Sequence, residues 1–210
     1  MSSNAALLAG PDGKARCWWA VGSAEYLEYH DAEWGRPVVA DDALFERLCL
    51  EAFQTGLSWL TILRKREAFR EAFHRFRIDR VAELGEGDVN RLMRDERIVR
   101  NRAKIEAALA NARAAKRALE HDGSLAALMW SFAPDHPRPP RRRADVPATT
   151  PESTALAREL KRRGFRFVGP TTAYALMQAC GIANDHIDGC VVRDAVERER
   201  ASVRVPAGRR

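Results

Sequence analysis

The stretch Leu160-Lys-Arg-Arg-Gly-Phe-Arg-Phe-Val-Gly-Pro-Thr-Thr-Ala-Tyr174 reads as a helix, a short hairpin and a second helix. Gly164 and Gly169 permit turn geometry that side chains block, and Pro170 suits the first turn of the helix that follows. A hairpin of this kind leaves backbone N–H groups pointing outward at a helix start, where a DNA phosphate can accept from them. Lys161, Arg162, Arg163 and Arg166 add sequence-independent attraction for a polyanion. The same residues equally describe an ordinary helical corner with a solvated basic face.

Outward from the hairpin the pattern stays helical. Residues 41–55 carry an apolar stripe of Leu44, Phe45, Leu48, Ala52 and Phe53, with Asp41 and Asp42 suited to the N-terminus. Further helices are expected over 66–76, 81–84, 88–95, 101–120, 153–163 and 171–180. No useful strand alternation and no internal repeat is present, so the expected fold is all-α. The organisation expected is a flexible extension over 1–15 and a folded domain over 16–193, with two helical lobes and the hairpin near 160–174. A charged tail over 194–210 is expected to be disordered, and the Pro/Arg run 135–147 is read as a loop.

With 210 residues, the chain buries a core without needing disulfides. Its formal net charge of +6 favours an anionic partner, nucleic acid before an acidic membrane surface. The opening residues lack the apolar core of a signal peptide. The uncharged run 167–184 is too rich in Gly, Pro and Thr for a lipid span, which points to a cytoplasmic protein. The four cysteines then read as thiols or metal ligands, with Cys49 and Cys180 placed in the core.

Cys17 and His30 near the start, and His186 and Cys190 near the end, make two half-sites. The second pair, at i and i+4, reaches one ion from one face of a helical turn. Two thiolates and two imidazoles fill a tetrahedral structural zinc site, although spacing alone also allows unrelated thiols and histidines. Trp18, Trp19, Tyr26, Tyr29, Trp34 and Trp59 crowd the first third of the chain, either as core or as the aromatic faces that hold an extruded base. Glu51 is either a carboxylate on an apolar face or half of a surface Arg47–Glu51 pair, and periodicity does not separate the two.

Six motifs follow one order: Cys17-Trp-Trp, Tyr29-His-Asp-x-Glu-Trp-Gly35, Leu50-Glu-Ala-Phe-Gln-Thr-Gly-Leu-Ser-Trp59, Arg97-Ile-Val-Arg-Asn-Arg-x-Lys-Ile-x-Ala-x-x-x-Asn-Ala112, Arg163-Gly-Phe-x-Phe-Val-Gly169 and Met177-Gln-Ala-Cys-Gly-x-x-Asn-Asp-His186-x-x-x-Cys190. Together they resemble the bacterial DNA-3-methyladenine glycosylase I family. That resemblance implies a helix-hairpin-helix DNA glycosylase fold, with one structural zinc ion on Cys17, His30, His186 and Cys190 joining the N- and C-terminal segments. It implies a monofunctional enzyme that flips 3-methyladenine from alkylated double-stranded DNA and excises it. A monomer is expected because nothing in the sequence indicates an interface.

By the same resemblance Glu51 and Tyr29 carry recognition and catalysis, Trp59 stacks on the base, and Trp19 and Trp34 complete the pocket. Gln54 and Leu57 approach the gap left by the flipped nucleotide, and Arg163, Gly164, Phe165, Arg166 and Gly169 contact DNA. Thr171 stands where lyase members of the wider superfamily carry a lysine, so no Schiff base is expected. Asp185 is read as a neighbour that orients His186, or alternatively as a stabiliser of the sugar cation. A noncatalytic zinc-stabilised DNA-binding module and a glycosylase for another alkylated purine are the rival readings.

Overall fold

The computed structural model describes residues 5–135 and 138–208, so the ends of the expected extension and tail, and His136 and Pro137 of the loop, lie outside the described residues. Among the described residues, ten α-helices follow a two-stranded ribbon: β1 (Leu7–Ala9), β2 (Ala15–Cys17), α1 (Ala24–Ala32), α2 (Asp41–Gln54), α3 (Trp59–Ala72), α4 (Ile78–Ala82), α5 (Glu86–Leu92), α6 (Arg102–Asp122), α7 (Leu125–Trp130), α8 (Pro151–Arg162), α9 (Pro170–Ala179) and α10 (Arg193–Ser202). The helical fold class holds.

Helix α2 is the centre. It touches α3, α6, α7 and α9, and eight of its residues in sequence order, Leu44, Phe45 and then Leu48 through Phe53, are buried. Its first two carboxylates serve other helices. Asp41 accepts from the Leu125 N–H at 2.8 Å and the Ser124 hydroxyl at 3.0 Å, and so caps α7. Asp42 accepts from the Ile78 N–H at 2.9 Å at the start of α4. The expected two lobes share one continuous apolar core, from Tyr29 through α2 and α6 to Ala183. A small satellite core of Cys17, Ile187 and Cys190 lies apart from it.

Four expectations need correction. The extension over 1–15 contains β1, paired antiparallel to β2 with Leu7 opposite Cys17. Buried Arg16 fastens the ribbon through Asp12 and Asp31, at 2.6 and 2.8 Å, a tie that apolar periodicity does not reveal. The tail over 194–210 begins with α10. That helix is held by Val196 in the core and by the Arg200 guanidinium, which donates to the carbonyls of Gly181 and Ile182. The helix over 66–76 begins at Trp59 and stops at Ala72; His74, Arg75 and Phe76 form a left-handed turn, all with φ near +53°. His186 and Cys190 lie on a turn rather than a helix, with Gly189 at φ +84°.

Candidate base cavity and metal centre

Each aromatic reaches the site from a different place. Trp18 and Trp19 follow β2, Tyr26 and Tyr29 are one turn apart on α1, Trp34 follows α1, and Trp59 opens α3. Ser58 caps α3 by accepting from the Thr61 N–H at 3.2 Å, and the Tyr26 hydroxyl accepts from the Leu60 N–H at 3.2 Å, fixing α1 to that helix start. The rings enclose a cavity of about 330 Å³, a size that suits a small planar ligand. Trp19 meets Trp34 at 5.0 Å and 78°, and Tyr29 meets Trp59 at 5.4 Å and 47°. The indole N–H of Trp59 is buried with no partner among the described residues.

Glu51 projects from α2 into this cavity and is 6% exposed. No hydrogen bond to its carboxylate is found among the described residues. Burial pushes its pKa up to about 8, and the Arg47 guanidinium opposes part of that rise. The surface-pair reading fails: Arg47 instead donates to Glu33 at 2.8 Å, which Arg66 also binds. Burial likewise raises the Tyr29 phenol, so it stays protonated. Gln54 and Asp185 also line the cavity. Asp185 accepts from the Tyr174 hydroxyl at 2.5 Å and the Gln178 amide at 2.8 Å, so it does not orient His186.

Cys17, His30, His186 and Cys190 are all buried, with ligand atoms within 4.8 Å of one another. A tetrahedron with metal–ligand bonds of about 2.0–2.3 Å has edges of about 3.3–3.8 Å. Four of the six edges are close to this: His30 Nε2 to His186 Nδ1 is 3.2 Å, Cys190 Sγ to His30 Nε2 is 3.4 Å, and Cys17 Sγ and Cys190 Sγ each lie 3.7 Å from His186 Nδ1. The other two, from Cys17 to His30 and to Cys190, are within 4.8 Å. The outer ring nitrogens are also placed. His30 Nδ1 meets Asp31 at 2.7 Å, and His186 Nε2 meets the Trp34 carbonyl at 3.1 Å. Contact with Cys190 and burial push the Cys17 thiol up; two adjacent buried thiolates repel, and a divalent cation between them removes that penalty. These four residues can hold a metal ion.

The hairpin joining α8 and α9 divides the expected DNA contacts. Gly164 (φ +93°) and Phe165 donate their backbone N–H groups to Lys161 and Leu160, and the Phe165 ring is buried. Arg166 exchanges both its backbone groups with the Asn111 side chain, at 2.7 and 3.1 Å. Arg163 is occupied by Asp122 and Glu159. None of these N–H groups is open to a phosphate. Just beyond, the N–H groups of Phe167, Gly169, Thr171 and Thr172 on partly or fully exposed residues, and that of buried Val168, donate to no backbone or side-chain group among the described residues. Leu57, after Gly56 at φ +82°, is 41% exposed beside Gln54. Trp18 and Tyr26, which the sequence offers as either core or base-holding aromatics, also line the cavity, and Tyr26 is the i−3 neighbour of Tyr29 on one helix face. Val146, Ala175 and Gln178 complete the lining, and no sequence signal marks them.

The model of the methyladenine glycosylase family matches residues 19–194. DNA-3-methyladenine glycosylase 1 of Escherichia coli (strain K12) is 44% identical over 177 residues, which are 83% of this chain and 95% of that protein. A crystal structure of 3-methyladenine DNA glycosylase I superposes with a TM-score of 0.80 at 46% identity, covering 84% of this chain and 98% of the other. A single-site variant of 3-methyladenine DNA glycosylase I, in complex with 3-methyladenine, gives a TM-score of 0.79 at 35% identity, over 82% and 94% of the two chains.

Proposed function

Because the chain belongs to the methyladenine glycosylase family, we propose that it excises 3-methyladenine from alkylated double-stranded DNA by hydrolysis, without lyase activity. The observation that carries this reading is Glu51, a buried carboxylate with no hydrogen-bond donor among the described residues, in a cavity walled by indole and phenol rings.

Methylation at N3 leaves the adenine ring cationic and its bond to deoxyribose weak. The C1′–N9 bond breaks with both electrons going to the base, which leaves neutral, while the sugar becomes oxocarbenium-like. Water adds to C1′ and releases one proton, giving an abasic sugar. The enzyme therefore needs to select and hold the cation rather than protonate a leaving group. Trp59 and Tyr29 offer ring faces that attract a cationic ring above a neutral one. Ionised Glu51 accepts from the exocyclic amine and pairs with the ring charge. Normal adenine brings no charge to draw the proton from Glu51, and burying that carboxylate beside it is unfavourable.

Phosphates of the flipped strand are held by the N–H groups of Gly169, Thr171 and Thr172, and Leu57 and Gln54 fill the vacated stack. Thr171 supplies no amine for a Schiff base. One zinc ion on Cys17, His30, His186 and Cys190, a closed tetrahedral set, acts as a structural cross-link and leaves no open position for substrate. A genomic DNA substrate calls for a cytoplasmic enzyme. No described helix is long and apolar enough to cross a membrane.

The deciding experiment is chromatographic identification of bases freed from methylated duplex DNA. Release of 3-methyladenine, sharply reduced by Glu51→Gln, is the expected result. Release of no base at any enzyme concentration overturns the reading in favour of a noncatalytic DNA-binding module.

A further inference from the structure

The arginine-rich run, read from sequence as a plain loop, is built into the cavity mouth. Val146 lines the base cavity directly. Arg143 lies over the ring of Trp18, 5.3 Å from its centroid, and Trp18 lines the same cavity. The Arg143 guanidinium also donates to the Ala5 carbonyl at 2.9 Å. On the other side the Pro140 carbonyl accepts from the Asp188 N–H at 2.8 Å, inside the His186–Cys190 turn. The segment is thus anchored to the ribbon, the aromatic wall and the metal turn. Arg141 and Arg142 stand outward with side chains 79% and 80% exposed. Their carboxylate partners, Asp188 at 3.5 Å and Asp145 at 2.8 Å, are solvent-screened pairs that a phosphate can displace.

We propose that residues 138–147 form a second DNA-contact element, in which Val146 walls the base cavity and Arg141 and Arg142 take backbone phosphates flanking the flipped nucleotide. The charge suits that partner: four arginines stand against one aspartate in this segment. The position suits it too, because phosphates next to an extruded base lie at the mouth of the cavity that receives it. This inference rests on the glycosylase reading.

The test is the salt dependence of binding to duplex DNA, measured for the parent protein and for Arg141→Ala/Arg142→Ala. Each phosphate contact contributes about 0.9 to the slope of log K against log salt. The double variant should lose about 1.8 of that slope, bind free 3-methyladenine as the parent does, and regain the slope as Arg141→Lys/Arg142→Lys. An unchanged slope overturns the proposal even if the parent releases 3-methyladenine normally. A parent that releases no base refutes the glycosylase reading instead, and the slope on duplex DNA still decides whether this wall touches phosphates.

Discussion

Glu51 shows where sequence alone stops. Its neighbours from Leu48 to Phe53 are all buried, so the apolar stripe that marks α2 as a helix does not separate inside from outside at position 51, and a carboxylate there gives no periodic signal. The tertiary cavity supplies the answer, and with it a pH dependence. The carboxyl of the free protein titrates near 8, and the proposed chemistry uses the anion. Activity (kcat/KM on methylated DNA) should therefore rise with pH and level off above about 8. Glu51→Gln should lower it by about a hundredfold or more and flatten the profile. The stability effect has the opposite sense. A carboxyl raised from 4.5 to about 8 contributes stability that is full below pH 4.5 and is lost as pH rises through 8. Denaturant melts should find Glu51→Gln no more stable than the parent below pH 4.5, and more stable at pH 8 and above. An equal difference at both ends would sink the burial account.

Elements held by long-range polar ties were the least legible. The long helices α2, α6, α8 and α9 were readable from apolar spacing and caps, and the hairpin from its glycines. The ribbon and α10 were not, because Arg16 and Arg200 fasten them to partners distant in sequence. The metal ligands were readable as residue types; their convergence required the fold. Two elements meet so closely that side chains are excluded. Gly181 has φ +71°, and a Cβ there would lie 2.5 Å from the Gly35 carbonyl. Gly181→Ala should destabilise the protein by more than about 2 kcal/mol, from left-handed strain plus the clash, read as a shifted urea midpoint. Lys104 of α6 caps the end of α2, donating to the Phe53 carbonyl at 2.8 Å and to that of Thr55. Lys104→Met leaves the buried Phe53 carbonyl without this donor, at a cost of about 1–3 kcal/mol. It should weaken excision from duplex DNA more than binding of free 3-methyladenine, since the 54–57 turn is the segment proposed to fill the vacated stack and Lys104 does not line the base cavity.

At the scale of the molecule, a metal ion on the four-residue cluster would close a ring of chain from Cys17 to Cys190. Elemental analysis should give one zinc per chain. Cys190→Ser or a strong chelator should lower the melting midpoint by about 10 °C or more, because a structural site is worth several kcal/mol and each moves a chain of this size by about 2–4 °C. A metal-free protein with an unchanged midpoint would refute the clamp. The base cavity should fail with it, because the two sites share one turn of α1. Tyr29 faces the cavity, His30 the metal set and Asp31 the Arg16 side chain. Successive residues of a helix point about 100° apart. Adding or deleting one residue upstream within α1 would swing all three side chains off target in a single event. Length variation among descendants of this gene should consequently be confined to connecting segments, and α1 should keep a fixed count from the Ser23 cap to Trp34.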